Sequence, residues 1–261
     1  MKKRIALLSV LSFLIFCSVI NVSNDGWKEV KREYKTVNNM TYYFPSEVSL
    51  AERQIAIDNC EKYIDENLKL IGETEFTTPM DIEFLNSRKE MLKYSGLSVQ
   101  GTGFTERNTI FLIHKAKNSP LKHELMHMIS MYKWKDTPDS THWMNEGLAT
   151  YAGGACDRYS LEEIYKYLLQ SKKLLPIKLL TDDFYNQNDM ITYTQSAFVC
   201  KYLIQNYGME KFIKLWKGGF PVFKQVYGIQ YEEMEGKIEK DINLKFPKAI
   251  EFDWEEFNKG C

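Results

Sequence analysis

The chain has 261 residues, of which 44% are hydrophobic and 26% charged, with 34 Lys and Arg set against 35 Asp and Glu. That balance, with no lysine or arginine stripe, argues against a nucleic-acid partner held by charge. The length allows one substantial core with room for a helical subdomain, and neither an internal repeat nor a low-complexity segment divides it.

Residues 1–23 read as a targeting segment. Lys2, Lys3 and Arg4 precede an uncharged apolar run over 5–20, the layout of a secretory signal peptide. The run is short for a membrane span of about 20 residues, and it has no clear small-residue cleavage site. A cleaved signal peptide and a retained N-terminal anchor, which would attach the chain to a membrane, are both open. Cys17 stands where a lipoprotein carries its lipid, but bulky Phe16 precedes it where a small residue is wanted. Each of these readings puts the protein outside the cytoplasm: secreted, periplasmic or membrane-anchored. Beyond Cys17 come Cys60, Cys156, Cys200 and Cys261, none in C-x-x-C spacing. Four cysteines in an exported chain permit two disulfides, and buried free thiols are the alternative.

Residues 24–39 are polar and read as a linker, and the folded domain is expected over 40–247 with a tail at 248–261. Met40–Phe44 is aromatic and β-branched enough for a strand, ended by Pro45-Ser46. A helix follows over 47–70, with a rough apolar stripe of Ile55, Ile57, Tyr63, Ile64, Leu68 and Leu70. Met80–Leu85 reads as a second strand. Residues 96–115 read as a hairpin turning at Glu106-Arg107-Asn108, with glycines at 96, 101 and 103. Its second strand, 109–114, is open to two readings: an edge, or a covered interior strand, which its apolar content allows.

Four or five residues later comes the stretch SPLKHELMHMISMYKW. Asn118 or Ser119 can cap a helix there, Pro120 suits its first turn, and Leu121, Leu125, Met128 and Ile129 supply a face to bury. His123 and His127 lie four apart, hence on one helix face, and both can reach one ion. H-E-x-x-H on a helix is the zincin signature, in which Glu124 acts as general base. Glu146 follows His127 after eighteen intervening residues, within WMNEGLATY. The polar KDTPDST between them ends the first helix, and Asp139, Ser140 or Thr141 can cap a second that carries Glu146. Two imidazoles and a carboxylate leave a fourth position open, as catalytic Zn²⁺ requires.

His142, one turn before Glu146, reads as a solvated first-turn residue, with a cleft wall or a substitute ligand as the alternatives, and His114, at the end of its strand, reads as solvated or as touching substrate. The remainder is expected to be helical. Ser160 and Glu163 form a capping box for a helix to about 172. A proline-containing connection spans 174–181, a helix over 193–207 ends at Gly208, and two more run over 209–216 and 231–242.

HELMH at 123–127 followed by NEGLATY at 145–151 resembles the gluzincin pattern of thermolysin-like and aminopeptidase N-like enzymes, the peptidase MA group. YTQSAFVCKYLIQNYG, at 193–208, resembles the tyrosine-led helix downstream of the glutamate in the same group. The resemblance implies an α+β zincin domain: a small mixed sheet, a central H-E-x-x-H helix and a helical C-terminal half. It implies a zinc metallopeptidase acting on a peptide or protein. His123, His127 and Glu146 would hold Zn²⁺, Glu124 would take a proton from the zinc-bound water, and Tyr193 would face the scissile carbonyl. Asn145 would orient the glutamate helix, and Thr150 would bond a ligating histidine where many thermolysin-like enzymes have aspartate. Strand 109–114 would be the edge that pairs with extended substrate. The aminopeptidase N-like G-A-M-E-N motif is missing from GTGFTERNTIFLI, whose one acid, Glu106, lies in the turn. An endopeptidase-like enzyme is therefore expected, unless another loop such as Asp182-Asp183 anchors an amine. An inactive zinc-binding protein on this fold and a non-peptide amide hydrolase are the other classes.

Overall fold

Met40, Tyr42 and Phe44 are buried while Thr41 and Tyr43 are half-buried, the period-two pattern of a strand with one face on a core. This strand, β2 (Met40–Phe44), is the second of five in a computed structural model that describes residues 33–115, 119–135, 141–154 and 158–260. The expected targeting segment, Cys17, Cys156 and Cys261 lie outside those residues. β2 pairs antiparallel with β1 (Glu33–Val37) across Asn38-Asn39, with Val37 opposite Met40 and Asn38 at φ +52°. β1 thus falls in the stretch expected to be a linker. An edge strand needs a backbone partner rather than an apolar face, and Tyr34 is 71% exposed, so composition does not reveal it.

α1 (Leu50–Ile71) crosses from β2 to β3 (Met80–Leu85), starting in a Ser49–Glu52 capping box and ending at Gly72 with φ +76°. Ile57, Cys60, Ile64, Leu68 and Ile71 face the core, whereas Ile55 faces solvent, which corrects the expected stripe. β2, β3 and β5 (Thr109–Ile113) are parallel neighbours, and β4 (Gly101–Phe104) pairs antiparallel with β5. The order β1-β2-β3-β5-β4 makes β5 an interior strand and β4 the edge beyond it, opposite the β1 edge. The edge reading of 109–114 is therefore overturned. Thr109, Ile110, Phe111 and Leu112 are all buried, which only a strand covered on both faces permits. α2 (Arg88–Ser95), capped by Ser87, covers one of those faces with Met91 and Tyr94; the sequence reading had no element there.

The rest is helical: α3 (Leu121–Trp134), α4 (His142–Gly153), α5 (Leu161–Gln170), α6 (Ile177–Asp182) and α7 (Asp189–Tyr207). α8 (Met209–Gly218), α9 (Phe223–Tyr227), α10 (Tyr231–Lys245) and α11 (Trp254–Phe257) complete it. The fold is α+β, a small mixed sheet with the H-E-x-x-H helix between it and a helical C-terminal half, as expected. One core joins the two, running from Met40, Ile82 and Ile110 through Leu125 and Trp143 to Trp216. Residues 248–260 are more than a tail, since Phe257 packs with Ile164, Leu168 and Ile191, and Phe252 stacks on Tyr159 and Tyr167. Cys60 and Cys200 are buried free thiols, and burial pushes the Cys60 thiol up to about 12. Among the described residues no helix is long and apolar enough to cross a membrane.

α4 and α7 approach so closely that a Cβ on Gly147 would lie 2.7 Å from the Ser196 carbonyl oxygen and 2.8 Å from Cys200 Sγ. Backbone cannot move aside as a side chain can, and overpacking of this kind costs about 1–3 kcal/mol. Alanine gains about 1 kcal/mol of helix propensity over glycine. We expect the clash to outweigh that gain in Gly147→Ala, by up to about 2 kcal/mol, and lower Tm by up to about 8 °C at roughly 2–4 °C per kcal/mol. A Tm equal to or above the parent's would show that the two helices separate freely.

Candidate metal centre

α3 begins at Pro120, where Ser119 Oγ accepts from the Leu121 N–H at 3.4 Å. Its first turn is tied to α1, because Asn67 Nδ2 donates to the Lys122 carbonyl at 2.9 Å and Lys122 pairs with Glu66 at 2.6 Å. Leu121, Leu125, Met128 and Ile129 are buried, which turns His123 and His127 toward α4. α3 stops at Lys135, φ +68°, and α4 returns with Thr141 before its first residue.

Glu146, on the second turn of α4, meets the two histidines. Its Oε2 lies 3.3 Å from His123 Nε2 and 3.3 Å from His127 Nε2, and the two Nε2 atoms are 2.9 Å apart. All three side chains are largely covered, at 19%, 12% and 12% exposure for His123, His127 and Glu146. His127 Nδ1–H donates to Asn145 Oδ1 at 2.9 Å, so in the neutral ring the lone pair is on Nε2. Asn145 thus orients a histidine and not only its own helix. Thr150 does not take the role expected of it, since its buried Oγ1 has no hydrogen-bond partner among the described residues.

Two imidazole nitrogens and a carboxylate oxygen, all aimed at one point, repel one another unless a cation sits between them. Protonation records the same demand. Burial pulls the His127 pKa down, but the adjacent Glu146 carboxylate more than reverses this and carries it up to about 9. Burial likewise works against ionisation of Glu146, yet His127 and His123 hold its carboxyl far below the ordinary range. The donor set N, N, O with an open side fits a divalent ion of the zinc type.

Three further groups surround this point. Glu124 is 8% exposed and accepts a hydrogen bond from the Gly103 backbone. Burial raises its pKa against the pull of the two histidines, which suits a proton acceptor. Tyr193 lies in the second turn of α7 rather than leading it, because Asn188 caps the helix at Ile191. Its ring runs near-parallel to that of His123, centroids 6.3 Å apart, and burial, then Glu146, push its pKa upward, so the hydroxyl stays a donor. Tyr185, in a 3-10 turn (Phe184–Asn186), donates to Glu146 Oε1 at 3.0 Å. Sequence reasoning missed it, as one of sixteen tyrosines without a motif of its own.

β4 closes the other side. Gly101 and Gly103 face α3, where a Cβ would lie 2.5 Å from Pro120 Cγ and 3.0 Å from Met128 Sδ. The Gln100 carbonyl accepts from Ile113 N, so by alternation Thr102 and Phe104 bond toward β5, while the backbone groups of Gly101 and Gly103 point away from it. His142 is exposed and lines a cleft with residues 181–186, its ring 5.2 Å from that of Tyr185. His114 packs edge-on against Phe84. Neither histidine belongs to the metal-ligand group. In the loop that could have anchored an amine, Asp182 pairs with Lys178, and Asp183 accepts from Asn186 and Gln187.

The family model of the Peptidase MA superfamily matches residues 69–238, from the end of α1 into α10 and across every group just described. A search of curated proteins finds no match to the chain.

Protein expressed with added zinc is expected to carry one equivalent by metal analysis. His123→Ala, His127→Ala and Glu146→Ala should each carry under a tenth of that. Less than half an equivalent in the parent protein would count against a zinc site.

Proposed function

This chain belongs to the peptidase MA superfamily, and from that premise we propose that it is an exported, zinc-dependent peptidase of endopeptidase type. The observation that carries the proposal is the convergence of His123 Nε2, His127 Nε2 and Glu146 Oε2 beside the buried carboxylate of Glu124. A purely structural ion needs no such carboxylate. An inactive binding protein on this fold would have no use for Glu124.

His123, His127 and Glu146 would hold the ion, which supplies Lewis acidity that lowers the pKa of a water and polarises a carbonyl. Glu124, its carboxylate steadied by the Gly103 N–H, takes the proton of the attacking water and passes it to the leaving amine. Its raised proton affinity favours the first transfer, and its nearness to both histidines keeps the proton beside the reaction. The Tyr193 hydroxyl serves as a donor to the oxygen that gains charge as the carbonyl becomes tetrahedral. Substrate recognition by backbone moves from 109–114 to the β4 edge. The outward groups of Gly101 and the Gly103 carbonyl can pair with an extended peptide whatever its side chains. Their lack of side chains brings that peptide close to α3.

Support for export is the layout of residues 1–23. Support for endopeptidase action is the absence of an amine anchor on β4 and the fact that Asp182 and Asp183 are already bonded.

Two measurements bear on the proposal. Glu124→Gln should retain zinc and Tm but lose about 10²–10⁴-fold in kcat on a casein-derived peptide, because an amide cannot accept the proton. Undiminished turnover would remove Glu124 from the reaction, and parallel loss of zinc would make it a structural residue. Separately, an N-acetylated peptide should be cut within a few-fold of the rate of its free-amine twin. Cleavage confined to the free amine, one residue at a time, would show an aminopeptidase instead.

A further inference from the structure

The turn Phe184–Asn186 presents one residue to the metal centre from outside both motif helices. It is held firmly. Asp183 accepts from Asn186 Nδ2 at 2.6 Å and from Gln187 Nε2 at 2.7 Å, and Gln187 N donates to the Phe184 carbonyl. Phe184 is buried, its ring 5.4 Å from that of Tyr193. Tyr185, between these anchors, is 55% exposed, yet its hydroxyl reaches a carboxylate only 12% exposed.

We propose that Tyr185 is a positioning residue that makes Glu146 a one-oxygen ligand. The carboxylate has two equivalent oxygens. Tyr185 O–H occupies Oε1 at 3.0 Å, and Oε2 lies 3.3 Å from each Nε2 atom. Without the hydroxyl, Glu146 is free to rotate and turn both oxygens inward, which would crowd the open position that a reactant needs. Asn145 does the matching task for His127, so two of the three ligands are oriented by a hydrogen bond from a neighbour. Tyr185 also walls the cleft of His142 and residues 181–186, so its placement sets the boundary between that cleft and the ligands. The inference rests on the zinc reading above, and its test separates the two.

The test measures zinc affinity by chelator competition on the purified full chain, as parent, Tyr185→Phe and Tyr193→Phe, together with the visible spectrum of each after cobalt(II) loading. Tyr185→Phe should bind zinc about 10–100-fold more weakly and show an altered cobalt band. The Tm of its metal-free form should stay within about 1 °C of the parent's, since the residue is half exposed. Tyr193→Phe should bind zinc as the parent does. Tyr185→Phe with zinc affinity within twofold of the parent and the same cobalt spectrum overturns this inference alone. So does a loss of affinity matched by destabilisation of the metal-free protein, which would mark a general structural role. A parent protein that takes up no zinc overturns the zinc reading and this inference with it.

Discussion

The structure depends on a convergence that is unfavourable by itself: two imidazole nitrogens and a carboxylate oxygen within 3.3 Å of one another, mostly out of water. Opposite unit charges at that distance attract by roughly 5 kcal/mol at an effective dielectric of about 20. A typical domain is stable by only about 5–15 kcal/mol in total. A carboxylate buried here without positive charge would therefore cost a sizeable part of the fold's stability. In metal-free protein a proton on His127 answers the demand. A divalent ion answers it better while leaving a side open, and that open side is what distinguishes a catalytic centre from a buried salt bridge.

The scaffold around that point consists of backbone approaching where side chains would not allow it. Gly147 lets α4 lie against α7, which sets Glu146 and Tyr193 in one neighbourhood. Gly101 and Gly103 let β4 lie against α3, which places the Gly103 N–H on Glu124 and turns the Gly101 backbone groups away from β5. Asn67 pins the first turn of α3 from α1. Each contact uses a residue without a side chain, or one with a single amide, to hold a charged group still. A hydrogen bond from His127 to Asn145 and one from Tyr185 to Glu146 then select which atom of each ligand faces inward. The centre is thus a product of four helices and one strand, and its outermost support, Tyr185, comes from a turn between helices.

Within the sequence, the ligands and base were legible because their spacing is a property of one helix and one return. A separation of four puts two histidines on a face, and the polar stretch before Glu146 must turn the chain back. The strands Met40–Phe44 and Met80–Leu85, the hairpin turn at Asn108 and the Ser160–Glu163 cap were legible for the same local reason. β1 and α11 were not, because Glu33–Val37 is ordered by pairing with β2 and Trp254–Phe257 by an aromatic cluster on α5. Nothing in their own composition requires either.

What local chemistry determined, then, was the inventory: H-E-x-x-H with a distant glutamate, an α+β alternation and a helical second half. Only the tertiary structure decided which strand is the edge. Apolar content shows that β5 can be covered but cannot say that β4 is the strand beyond it, because strand order is set by pairing between residues far apart in sequence. Tertiary packing also decided that Asn145 rather than Thr150 holds a histidine, and that Tyr185 bonds Glu146. A side chain's hydrogen-bond partner depends on how helices rotate and cross, and that is fixed by the fit of whole faces, to which a single residue's identity contributes little.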